Sequence, residues 1–409
     1  MNGKQFCRVL ALVGCVWWLT ACTTHQVIHA NPAPLRQPAT ALAPEQRLHV
    51  GVALFEPGPF EDAPAAAAGN APAVIRKAEG RYLAFALRKT LEESGHWGAV
   101  RVIPDATDAV DVTVRGRILA SNGLELKVSV EARDATGRLY LDKEYERTAS
   151  KYAYTDASLS HVDPFQDLYN AIANDLSAIR GALTTGEVAA VRTAATLRFA
   201  QGVAPYAFEG YLVQDEDGIY EIQRLPAAEY PMMLRILAIH ARERDLLRVF
   251  DAHYGQLASD LEVAYREWRK SSYEETRAVR GIERSARQDV ILGSVAAAGG
   301  LAGAASSGNA VGTAASVASV IGGAAVIGRG VKKYSQAEIH RDALMELASS
   351  FSQEVAPRVI EVEGRVTTLS GSAEAQFRAW RQLLRELYRT ETGLTAGQVP
   401  DRQETAPSR

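Results

Sequence analysis

Two neighbouring stretches of the chain alternate apolar and polar residues with a period of two. In "VDVTVRGRI", Val110, Val112, Val114 and Ile118 share one face, and Asp111, Thr113, Arg115 and Arg117 the other. In "LELKVSVEA", Leu124, Leu126, Val128 and Val130 repeat the pattern, which is that of a strand with one buried face. Ser121-Asn122-Gly123 lies between them, and Asn-Gly is the strongest short hairpin signal. A second turn, "DATGR", leads to "LYLDKEY" and completes a three-stranded meander. Upstream, "LHVGVALF" and "WGAVRVIP" read as two more strands. Between these, residues 75–94 read as a helix with Tyr82, Leu83, Phe85, Ala86, Leu87 and Leu91 as its apolar stripe and Arg81, Arg88, Lys89, Glu92 and Glu93 outside it. "DPFQDLYNAIANDLSAIRGAL" predicts another helix that buries Phe165, Leu168, Ile172, Leu176, Ile179 and Leu183, with Asp163 as its cap. The order strand, helix, strand, meander, helix predicts a two-layer α+β domain over 48–184, its antiparallel sheet packed on one side only.

Residues 185–288 read as largely helical, interrupted at "GYLVQDEDGIYEIQRLP" by a hairpin turning at Asp217-Gly218. Leu246, Val249, Phe250, Leu257, Leu261, Ala264, Tyr265 and Trp268 keep helical spacing. The close alternation of charge in "EWRKSSYEETRAVRGIERSARQD" predicts a solvated, salt-bridged helix face. Residues 329–392 read as helix, β-hairpin, helix. The first of these helices opens on a capping box at Ser335 and Glu338, the hairpin turns at Glu363-Gly364, and the last helix buries Phe377, Trp380, Leu383, Leu384 and Leu387. Residues 393–409 read as a disordered tail. The predicted class is α+β: an N-terminal two-layer domain with an antiparallel meander, followed by a mainly helical domain.

The pattern breaks at Val290. From there to Gly328, 39 residues carry no charge, no proline and no aromatic. One continuous helix of this length would run about 58 Å, almost twice a hydrocarbon core of about 30 Å. Ser306-Ser307-Gly308-Asn309 offers a turn, so residues 289–328 read as a Gly/Ala-rich helical hairpin. Gly299 and Gly303, and Gly308 and Gly312, have the GxxxG spacing that lets helix backbones approach closely. Arg280, Arg284 and Arg287 precede the segment and Arg329, Lys332 and Lys333 follow it. A hairpin places both clusters on one side, near anionic headgroups. The segment resembles the glycine-zipper regions of some envelope proteins. Either it is a packed αα-hairpin inside a soluble helical domain, or it inserts in a membrane or drives oligomerisation.

Composition changes the picture at one point. All three cysteines, Cys7, Cys15 and Cys22, fall in the first 22 residues. Lys4 and Arg8 precede an apolar run, Val9–Leu19, of signal-peptide length. Leu19-Thr20-Ala21-Cys22 then resembles the lipobox of bacterial lipoproteins. The resemblance implies cleavage of residues 1–21, lipidation of Cys22, and an outer-membrane address, because Thr23 is not acidic. Residues 22–47, with Pro32, Pro34, Pro38 and Pro44, read as a tether. In element order the 48–184 body resembles the small periplasmic domains of the TolB N-terminal part and of lipoproteins such as CsgG and LpoB.

Candidate chemistry is sparse. The net charge of −3 and the lack of a dense Lys/Arg patch with interleaved aromatics point away from nucleic acid. The eight histidines form no HExxH, and GxSxG, Walker A and GxGxxG are missing. Asp156, His161 and Asp163 lie together in a predicted loop without an evident partner for acid–base work. Tyr152 and Tyr154 offer an exposed strip; Trp97, Trp268 and Trp380 read as core. No catalytic residue, metal site, cofactor or small-molecule substrate is expected. The expected function is that of a non-enzymatic, periplasm-facing envelope scaffold held by a lipid anchor, with a homo-oligomer or another envelope protein as partner. The alternatives are a monomeric periplasmic adaptor with the hairpin buried and, less favoured, a cell-envelope hydrolase.

Overall fold

The computed structural model describes residues 34–57, 73–159, 161–227, 229–303, 358–362 and 365–392, with the backbone alone for 73–74, 157, 275, 279, 281–303, 358–362, 365–367 and 387–392. Its strands are β1 (Val50–Ala53), β2 (Glu56–Pro57), β3 (Val100–Ile103), β4 (Val112–Ser121), β5 (Glu125–Asp134), β6 (Leu139–Thr148), β7 (Leu212–Gln214), β8 (Tyr220–Ile222), β9 (Arg358–Val362) and β10 (Arg365–Leu369). Its main helices are α1 (Ala73–Glu93), α2 (Gln166–Ala182), α3 (Thr185–Val203), α4 (Pro231–Gly303) and α5 (Ala373–Thr392). The chain is α+β.

The main sheet has the order β3-β1-β4-β5-β6, with β2 beside β4. The meander β4-β5-β6 is antiparallel, joined by the Asn122-Gly123 turn. The expectation of a wholly antiparallel sheet is corrected: β1 pairs in parallel with both β3 and β4, so the sheet is mixed. The cause is connectivity, since β1 and β3 are joined through α1, and a crossover helix returns the chain in the same direction. On β4 and β5 the alternation resolves as read. Val112, Val114, Ile118, Leu126, Val128 and Val130 are buried, while Arg115 and Arg117 are exposed. α1 and α2 cover that buried face, contributing Leu83, Leu87, Leu91, Phe165, Leu168 and Ile172 to one core.

α3 begins at Thr184 with a reciprocal cap. The Thr184 hydroxyl accepts from the Glu187 N–H at 3.2 Å, and the Glu187 carboxylate accepts from the Thr184 N–H at 2.8 Å. β7 and β8 form a hairpin turning through Gly218, and β9 pairs with β10. α4 is 73 residues long, about 110 Å along its axis. It passes residues 288 and 289 without a break. Trp97, Trp268 and Trp380 are all buried. The lipobox with Cys22, the turn at Ser306–Asn309, Gly308, Gly312, the basic cluster after Gly328, the Ser335 capping box, the Glu363-Gly364 turn and the 393–409 tail lie outside the described residues.

Where α3 meets α4, His240 is buried with its ring 4.6 Å from that of Phe199. Burial, aided by the Arg244 charge, lowers its pKa from 6.5 to about 4. The folded state thus resists a proton that the unfolded chain accepts, so this contribution is full above pH 6.5 and is lost as pH falls towards 4. Between pH 7 and pH 4 the unfolding free energy is expected to fall by about 3 kcal/mol more in the wild type than in His240→Gln. Denaturant titrations across that range check this; parallel pH profiles would remove His240 as the cause.

Candidate functional site

α4 is bolted to the α+β layer by side chains spread from Glu243 to Arg280. Asp251 caps the sheet edge: its Oδ1 accepts from the Val102 N–H at 2.8 Å, and its Oδ2 pairs with Arg88 at 3.0 Å. Burial raises the Asp251 pKa, while the Val102 N–H and Arg88 oppose that rise. Tyr254 and Arg81 both reach Glu374 on α5, at 3.1 and 3.0 Å. The charged side of α1 predicted to face water therefore lies partly in contacts with α4 and α5.

Further along α4, Glu79 on α1 is buried and fully occupied. Its Oε1 accepts from the Ser121 and Tyr265 hydroxyls at 2.5 and 2.6 Å, and its Oε2 pairs with Arg76 at 2.8 Å. Burial, first, and the Glu79 charge hold the Tyr265 hydroxyl protonated far above its ordinary range. One helical turn on, the Arg269 side chain is 1% exposed and pairs at 2.9 Å with Asp163, 9% exposed. The Tyr82 hydroxyl donates to the same carboxylate oxygen at 2.9 Å. The Arg269 guanidinium also lies 4.1 Å from the centre of the Tyr265 ring and 5.1 Å from that of Phe165. A cation this deep needs such company, since water no longer solvates it.

The end of this seam is backbone against backbone. Gly123 has φ +73°, and a Cβ there would lie 2.1 Å from the Arg269 carbonyl oxygen and 2.6 Å from the Tyr273 nitrogen. Thr276 donates to the Asn122 carbonyl at 3.2 Å, and Arg280 grips Glu125 with two bonds of 2.6 Å. Arg266 donates to the carbonyls of Ala153, Leu159 and Val162, holding the 150–163 loop against the same helix. The expected solvated, salt-bridged face is present at Glu267 and Lys270, which pair at 3.9 Å, but Arg269 and Arg280 of the same run, like Arg266 just before it, point at the body because it offers carbonyls and carboxylates there. α4 then continues 23 residues beyond Arg280 to Gly303, about 35 Å of helix.

Asp156, His161 and Asp163 do not assemble into an acid–base site. Asp156 turns back on Ser158, accepting from its N–H and hydroxyl at 2.9 and 2.7 Å, and His161 is exposed. Asp163 does accept from the Phe165 N–H at 2.8 Å ahead of α2, but the residue flanking α2 is Phe165 and the second oxygen serves Arg269. The Tyr152/Tyr154 strip is also corrected: Tyr152 is exposed, but Tyr154 is buried, its hydroxyl donating to the Gly123 carbonyl at 2.7 Å. Gly299 and Gly303 both lie in α4. Among the described residues, no helix is long and apolar enough to cross a membrane. Among them, no three His, Cys, Asp or Glu side chains converge as metal ligands would.

Sequence reading passed over Glu79, Glu243 and Arg269, and read Asp163 as a helix cap without its pairing to Arg269. For two of them a signal existed. Glu79 falls between Ile75 and Leu83 at helical spacing, and Arg269 follows Tyr265 by four and Leu261 by eight. Each charge stands inside an apolar stripe.

No family model matches the chain, and no curated protein matches it. Among solved structures it is similar to the PelC dodecamer from Paraburkholderia phytofirmans, at 19% identity over 35% of this chain and 97% of that one, with a TM-score of 0.23. A point variant of that dodecamer matches at 18% over 36% of this chain and 98% of that one, TM-score 0.22. Protein XCC0632 from Xanthomonas campestris, of the DUF330 family, matches at 13% over 38% of this chain and 94% of that one, TM-score 0.23. At such scores these likenesses carry no weight for function.

Proposed function

We propose that the chain is an outer-membrane lipoprotein, anchored through lipid on Cys22. Its periplasm-facing body acts as a non-enzymatic scaffold or assembly component. Its Gly/Ala-rich segment, through Gly299, Gly303, Gly308 and Gly312, mediates self-association or membrane contact. The anchoring part is supported by the order of charge, apolar core, small residues and cysteine in Lys4 to Cys22. The observation that carries the scaffold part is α4. One helix is fastened to the sheet from Asp251 to Arg280 and then runs on into the Gly/Ala-rich stretch. Such an arrangement presents that stretch from a braced support. The buried carboxylates support the same reading: Glu79, Asp163 and Asp251 are each engaged in joining one element to another.

The test is metabolic labelling with an alkyne palmitate analogue in a bacterium that processes lipoproteins, followed by membrane fractionation. The wild-type chain is expected to carry label and sediment with the outer membrane. Cys22→Ser is expected to lose the label. A labelled Cys22→Ser chain, or an unlabelled wild type, would refute the anchor.

A further inference from the structure

Between α3, α5 and the loop joining β3 to β4 lies an open cleft of about 1020 Å³. Four of its lining residues are arginines: Arg115 from β4, and Arg378, Arg381 and Arg385 from α5. Their spacing on α5 puts the last three on one helix face over about 10 Å. Among the described residues, none of the four makes an ion pair or donates a side-chain hydrogen bond; the Arg381 guanidinium carbon lies 6.0 Å from the centre of the Phe377 ring, and its charge favours the ionised form of the buried Glu243. Elsewhere on the molecule Arg81 and Arg88 of α1 and Arg198 of α3 pair with carboxylates.

The nearby acids are already occupied. Asp108 pairs with Arg198 at 2.7 Å. Glu131, opposite Arg115 in the β4–β5 register, pairs with Arg133 at 2.9 Å. Glu243 lies buried in the cleft wall, accepting from the Thr107 hydroxyl at 2.5 Å and the Trp380 Nε1–H at 3.0 Å, and burial favours its neutral form. Asp105 alone remains, its Oδ1 accepting from the Ala106 N–H at 2.7 Å. Four guanidiniums against Asp105 and Glu243 leave a surplus of at least two positive charges.

We propose that this cleft binds a ligand carrying two or more phosphate groups. Guanidinium forks match the geometry of phosphate oxygens, and all four cations here are arginine rather than lysine. A phosphate monoester carries roughly −1.5 to −2 charges at neutral pH, so such groups offset the surplus. A row about 10 Å long offers donors to more than one such group. The volume sits at the upper end of small-molecule sites, about 300–1,000 Å³. The phosphates come either from a soluble molecule or from lipid headgroups. This binding site stands apart from the anchoring and self-association proposed above.

The test uses inositol hexakisphosphate, with orthophosphate and a hexaglutamate peptide as comparisons, titrated by calorimetry into the full-length Cys22→Ser chain at constant ionic strength. The same chain is co-sedimented with vesicles of phosphatidylglycerol and phosphatidylcholine, so that no anchor supplies the attachment. Arg378 and Arg385 are exposed, so Arg378→Gln/Arg385→Gln keeps the fold. Saturable binding of the hexakisphosphate is expected at least tenfold tighter than orthophosphate, weakened at least tenfold in the double variant, and unchanged in Arg147→Gln on β6. Hexakisphosphate binding without vesicle binding assigns the phosphates to a soluble ligand; vesicle binding lost in the double variant assigns them to headgroups. No saturable binding in either arm, equal affinity in the double variant, or tighter binding of hexaglutamate overturns the proposal.

Discussion

Asp163→Ala is expected to lower the unfolding free energy by about 3–5 kcal/mol, measured by denaturant titration followed by circular dichroism. The cost arises from what remains. Arg269 is 1% exposed, so without Asp163 its charge keeps the ring faces of Tyr265 and Phe165 but no anion. The Tyr82 hydroxyl loses its acceptor as well. Asp163→Leu combined with Arg269→Met should recover most of the loss, because removing both charges also removes the desolvation penalty. A loss below about 1 kcal/mol in Asp163→Ala would match an exposed pair and contradict the buried seam. So would a double variant no better than the single one.

Gly123→Ala is expected to cost about 3 kcal/mol, combining left-handed backbone strain with a steric clash. Gly210 provides the control. It too has positive φ, +71°, but a Cβ there meets nothing within 4 Å, so Gly210→Ala carries the strain of about 1 kcal/mol without the clash. The difference between the two variants isolates the contact of the Asn122-Gly123 turn with the α4 backbone. Equal losses would mean that the turn does not press on α4. In Gly123→Ala the Tyr154 hydroxyl and Thr276, which bond to the turn carbonyls, should also lose their acceptors, and proteolysis near residue 276 should quicken.

Local pattern made much of the fold readable. The alternation in β4 and β5 and the Asn122-Gly123 turn depend on neighbours a few residues apart, and the meander follows from them. The parallel pairing of β1 was not readable in this way, because it depends on where α1 returns the chain. The seam was hidden for a different reason. Arg269 and Arg280 occur in a run whose charge alternation is that of a solvated helix, and only the arrival of the 150–163 loop and the β4–β5 turn makes them inward-facing. Likewise the arginines of α5 look like an ordinary polar face until α3 and the β3–β4 loop close a cleft around them. The partners lie more than 100 residues away in sequence for Arg269 and Asp163, beyond the reach of any periodicity.

The central claim is that α4 holds out a segment through which copies of the chain associate or touch a membrane. Its most direct test is the molar mass by light scattering of the Cys22→Ser chain, exported with a cleavable signal, compared with the same chain carrying Gly299→Leu, Gly303→Leu, Gly308→Leu and Gly312→Leu. The account predicts that the glycine-bearing chain assembles or needs detergent, and that the leucine variant loses defined assembly while keeping its circular dichroism spectrum. A glycine-bearing chain that is already a soluble monomer, with a leucine variant that unfolds, would contradict it and place the segment in the core.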